Sequence, residues 1–228
     1  MHRLLIFFFW LAILLAPGCG TTQPKTPKLK KQAPAKVTPP TISSPTIGPP
    51  SVDKEYIEKT FVLTPLRPEH TPLDYRAVMD NRVYLRTVMG WGDWPPDSMT
   101  IEEDRGALVN HFKEFKAQEA YAFAVFSTDR KKVTGCVYLY PINNKPSSVQ
   151  ILFWVTKDQL ANDLDKAVLA KILSLLPRWG FNHAVHPVQN SNKRGSEVAV
   201  ESGMTLNTSE GSSEDSAQKL FEWGATKK

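Results

Sequence analysis

The stretch best suited to chemistry runs from Ser148 to Gly180. Val149 to Thr156 is rich in β-branched and aromatic residues. After a short polar stretch, Leu164, Val168, Ile172, Leu175 or Leu176, and Trp179 recur at helical spacing, with Asn162 or Asp163 as N-cap and Gly180 as the stop. A strand that feeds a helix through a short loop makes an anion site, because the first N–H groups of the helix point unpaired into the loop. Other reactive side chains offer less. His183 and His186 are three apart on a predicted strand, so they face opposite ways and do not share a metal. Cys136 lies in the alternating run Lys132 to Tyr140 with no base beside it in sequence, which reads as a small buried residue. His111 sits at the edge of a helical apolar face. No Ser-His-Asp order, phosphate-loop signature or internal repeat is present.

The elements that must position these groups follow from the pattern. Phe61 to Leu66 is a short strand, and Thr71 to Val88 has helical spacing with a weak middle, as two short helices would give. Gly90 to Pro96 is a loop whose two tryptophans cover one end of the core. Thr100-Ile101-Glu102-Glu103 fits a capping box that opens a helix to about Glu119, with Leu108, Phe112 and Phe115 on one face. Tyr121 to Ser127 and Lys132 to Tyr140 form a hairpin. His183 to Val188 is a strand and Asn192 to Ser202 a helix; strands near Met204 to Asn207 and Leu220 to Trp223 close the chain. This is an α+β, or mixed α/β, layout of helices around a central twisted mixed sheet.

The segment ahead of that domain has another character. Residues 1–52 hold six basic residues and no acid, so the remainder sets 22 basic against 23 acidic side chains. The excess positive charge belongs to the tail, and the domain has no bias towards nucleic acid. Leu4 to Ala16 is apolar and follows Arg3, as in an export signal. It ends in Ala16-Pro17-Gly18-Cys19, similar to a bacterial lipobox in which Cys19 is acylated. Residues 20–52 are rich in Pro, Lys, Thr and Ser, a composition that stays extended. At ~3.1 Å per residue they reach up to roughly 100 Å. The expected organisation is a signal over 1–19, a tether over 20–52 and a domain over 53–228. It predicts a lipid-anchored envelope protein facing the periplasm or exterior, with membrane lipid as a partner through Cys19.

The domain also resembles a known family. The element order, with Leu66-Arg67-Pro68-Glu69-His70, Trp94-Pro95 before Met99 to Glu103, His111 to Phe115, Gly135 to Pro141, and Ser196 to Met204, is similar to a poorly characterised branch of the GNAT superfamily of acyl-CoA N-acetyltransferases. The resemblance spans about Lys59 to Leu206. It implies acetyl-CoA or another acyl-CoA bound by Trp154, Val155, Thr156, Ala161, Leu164, Asn192 and Ser196, an amine acceptor, and no metal. The chain departs from the family at the loop that receives the CoA pyrophosphate. Leu160 stands where the family has arginine, and Ala161, Asp163 and Asp165 stand in place of its glycines. Two carboxylates there repel an anion while stabilising the helix N-terminus. The family's general-base and tyrosine positions hold no acid and Ala199, which leaves Gln150, Tyr138 and Glu102 as catalytic candidates. Two functions are compatible with these residues: acyl transfer to an amine, or a noncatalytic envelope module that binds a peptide, glycan or lipid in the same cleft.

Overall fold

The computed structural model describes residues 54–208 and 217–224. Their strands are β1 (Tyr56–Ile57), β2 (Val62–Pro65), β3 (Tyr121–Phe126), β4 (Val133–Pro141), β5 (Ser148–Val155), β6 (His183–Gln189), β7 (Thr205–Leu206) and β8 (Gln218–Gly224). They form one sheet in the order β1-β2-β3-β4-β5-β6-β8-β7. Every neighbouring pair is antiparallel except β5 and β6. The helices are α1 (Thr71–Asp80), α2 (Arg82–Met89), α3 (Ile101–Ala117), α4 (Leu164–Leu175) and α5 (Lys193–Glu201).

The central strands are buried on both faces, so alternation along them sorts side chains between two cores. Val137, Leu139, Val149 and Ile151 pack with Val168, Leu169 and Ile172 of α4. Cys136, Tyr138 and Trp154 pack on the other face with Val78, Leu85 and Leu108 of α1, α2 and α3. Each fully buried aliphatic side chain contributes roughly 1.5–3 kcal/mol.

Local chemistry sets the ends of the elements. The expected capping box is present: Thr100 N–H donates to Glu103 Oε2 at 2.7 Å, and Glu103 N–H to Thr100 Oγ1 at 3.2 Å. The weak middle of residues 71–88 is a break at Asn81, whose amide donates to Ala77 O at 2.9 Å while its Oδ1 accepts from Lys157 N–H at 2.8 Å. That second bond ties the start of α2 to the loop leaving β5. The helix expected to run to Trp179 ends earlier. Pro177 has no N–H to continue the ladder, and Leu176–Trp179 tightens into a 3-10 turn. Of the two possible N-caps for α4, Asp163 takes the position, in left-handed conformation at φ 53°, yet its side chain makes no cap bond. β1 is an addition that the sequence pattern did not indicate. The expected signal, Cys19 and the tether lie outside the described residues. Among those described, no helix is long and apolar enough to cross a membrane.

Candidate functional site

β5 and β6 are paired over three residues, from Ser148 opposite His183 to Gln150 opposite Val185. Beyond that point they separate, although β5 continues to Val155 and β6 to Gln189. His186 stands where they part: its Nδ1 lies 2.9 Å from Ile151 O. A carbonyl can only accept, so Nδ1 carries the proton and Nε2 the lone pair. Since Ile151 O faces β6, strand alternation turns the N–H and C=O of Phe153 and Val155 the same way, into the opening. The remaining walls come from Tyr84, Val88 and Met89 of α2 and from Asn192, Gly195 and Val198 around α5. The cavity volume is about 50 Å³, room for a few waters.

Close contacts hold these walls in place. A Cβ on Gly195 would lie 2.6 Å from the Asn192 side chain, and Asn192 Oδ1 caps α5 by accepting from Gly195 N–H at 2.8 Å. Gly90, at φ +66°, ends α2 against the side chain of Gln189 on β6. Burial pushes the His186 imidazole down to about 4, opposed by its bond to Ile151 O. It is therefore neutral across the physiological range. Burial, then the charge of Asp165, raises the Tyr84 phenol.

The strands open towards their C-terminal ends, where α4 and α5 both begin. There Arg194 closes the mouth. Its Nε donates to Asp165 Oδ2 at 2.7 Å, and its Nη2 to Asp165 Oδ1 at 2.8 Å and Asp163 Oδ1 at 2.9 Å. Lys166 bridges Asp163 at 3.4 Å and Glu201 at 2.7 Å. Hydrogen bonds from Arg194 and then Lys166 hold the Asp163 carboxyl below its usual range.

The sequence candidates are distributed unevenly around this cleft. Trp154, Val155 and Asn192 line it. Thr156 and Leu164 are buried beside it, Ala161 is exposed, and Ser196 Oγ turns back to Asn192 O at 3.4 Å. Gln150 is half-buried on β5, Tyr138 lies within the second core, and Glu102 is exposed in the first turn of α3. His183 and His186 face opposite ways, as their spacing requires. Cys136 is fully buried, but its thiol donates to Asp74 Oδ1 at 3.1 Å. Asp74 had no sequence signal as its partner, being sixty-two residues away. The Arg194 clamp was equally hidden, since Asp163 and Asp165 read only as repelling an anion and stabilising the helix N-terminus. Among the described residues, no group of three or more His, Cys, Asp or Glu side chains could hold a metal.

Proteins of known structure share this fold. RimL, a ribosomal L7/L12 alpha-N-protein acetyltransferase solved with coenzyme A, superposes with TM-score 0.64 at 16% identity, over 75% of this chain and 98% of its own. The fold is that of the GNAT acetyltransferases. Mycobacterium smegmatis RimJ, solved with CoA-disulfide, matches at TM-score 0.59 and 15% identity, over 72% of this chain and 82% of its own. The microcin C7 self-immunity acetyltransferase MccE, solved with acetyl-CoA and AMP, matches at 0.61 and 13%, over 73% and 93%. These identities establish the fold and no more. No family model matches the sequence, and no curated protein does.

Proposed function

We propose that this chain is an N-acyltransferase that draws its acyl group from a pantetheine thioester, with acyl-CoA as the first donor to test, while tethered to a membrane surface through Cys19. The observation that carries the catalytic reading is the separation of β5 and β6. An extended arm with two amides suits the strand edge at Phe153 and Val155, and the walls formed by Trp154, Val88 and Val198 suit its methylenes. The donor supplies an activated acyl group. Attack of a neutral amine on the thioester carbon breaks the C–S bond, and the proton that the amine loses leaves with the thiol; His186 Nε2, neutral and at the closed end of the cleft, is placed to accept a hydrogen bond from the attacking N–H.

The acceptor reading rests on the neighbouring sheet face. Successive pairings put Tyr140, Gln150, Val185 and Glu222 on one rung, and all four are half-buried. Glu222 accepts from Asn207 Nδ2 at 2.7 Å, which fixes a carboxylate where a cationic amine would approach. Gln150 becomes a positioning residue on that rung.

The full-length chain, incubated with acetyl-CoA and a panel of polyamine, amino sugar, lysyl peptide and free peptide N-terminus, should release thiol only when an amine is present. His186→Gln keeps a donor for Ile151 O and should lower the rate ~100-fold or more. Thiol release that no amine accelerates would contradict acyl transfer and favour a noncatalytic peptide-binding or polymer-binding module.

A further inference from the structure

We infer, resting on the acyltransferase reading, that the donor is recognised by its pantetheine arm alone and that the mouth of the cleft rejects the diphosphate of CoA. An arm lying along β5 with its acyl end near His186 places its far end where the strands open, at the start of α4. A helix N-terminus suits an anion when its amides are free and a cation is at hand. Here the chain itself takes up the cations and one of the amides. Lys166 N–H donates to Asp165 Oδ1 at 3.0 Å. The Arg194 guanidinium is engaged by Asp163 and Asp165, and the Lys166 ammonium by Asp163 and Glu201. Three carboxylates share two cations, so an incoming pyrophosphate meets net negative charge. The Asp165 side chain is only 8% exposed and is held by two charge-assisted bonds from a planar fork, the geometry least easily displaced. The chemical class of donor that fits is an S-acyl pantetheine with no anionic group at this position; the nucleotide end of CoA would have to lie in solvent.

Calorimetric titration of the full-length chain with acetyl-CoA, S-acetyl-pantetheine and inorganic pyrophosphate tests this directly. The expected result is that S-acetyl-pantetheine binds as tightly as acetyl-CoA, within threefold, or more tightly, and that pyrophosphate gives no heat of binding. Asp163→Asn combined with Asp165→Asn should then tighten acetyl-CoA tenfold or more while moving S-acetyl-pantetheine by less than threefold. Should the double variant fail to fold, Asp163→Asn alone removes an exposed carboxylate and should tighten acetyl-CoA at least twofold. Acetyl-CoA binding the unaltered chain more than threefold tighter than S-acetyl-pantetheine would overturn the inference and leave the acyltransferase reading intact. Binding of neither thioester would overturn both.

Discussion

Asp74 of α1 and Asp104 of α3 are both buried beneath β4, beside the Cys136 thiol. Two carboxylates and a thiol in one apolar pocket cannot all ionise, so the acids share a proton. Burial raises Asp74 to about 6 despite its bonds to Cys136 and Asp104; burial and then the charge of Asp74 raise Asp104 to about 7. The folded chain thus binds this proton more tightly than the unfolded chain. Stability from the pair is complete below about pH 4 and is lost as pH rises through 7. His186 acts in the opposite direction. Its folded pKa of about 4 lies below the 6.5 of a free imidazole, so its contribution is full above pH 6.5 and is lost as pH falls through 4. Chemical denaturation across pH 3.5 to 9 should therefore show the two contributions opposing each other between about pH 4 and 7 and neither of them acting above that window. Asp104→Asn should remove a loss of stability with rising pH between about 4 and 7, and His186→Gln should remove a gain between about 4 and 6.5. A profile that neither variant alters would show that these groups do not titrate as placed.

β4 and β5 approach closely because Gly135 has no side chain: a Cβ there would lie 2.3 Å from Trp154 O. Backbone cannot yield as a flexible side chain can, so Gly135→Ala should cost about 1–3 kcal/mol, a fall in melting midpoint on the order of 5 °C for a domain of this size. A midpoint within 1 °C of the parent would mean that the two strands are not so tightly apposed. At this scale much was legible in sequence. The capping box at Thr100 and Glu103, the hairpin around Thr128 to Lys131 and the strand-to-helix step after Thr156 all have local signals. The ends of helices were less so: Pro177 shortened α4 within an unbroken apolar pattern. The site was legible only as far as it is local. Trp154, Val155 and Asn192, which the family resemblance named, line the cleft. The α2 wall, the His186 bond to Ile151 O and the Arg194 clamp each join residues far apart in sequence, and no periodicity records which side chains meet across a sheet.

For the molecule as a whole, a domain of nearly balanced charge follows an N-terminal segment of basic composition whose apolar run, Leu4 to Ala16, is followed by Cys19 three residues on. If Cys19 carries lipid, the Cys19→Ala chain should leave the detergent-soluble membrane fraction or accumulate in an unprocessed form. Equal membrane association and identical processing of the variant would remove the tether from the account. The cleft stands independently of that result. The measurement that tests it most directly is amide hydrogen exchange on the full-length chain, with and without saturating S-acetyl-pantetheine. The cleft account predicts protection concentrated on Phe153 and Val155, whose N–H groups face the opening, with smaller changes at Val188 and around Asn192. Protection elsewhere with none along β5, or no protection at a concentration where a thioester is shown to bind, would contradict the assignment of the separated strands as the donor site.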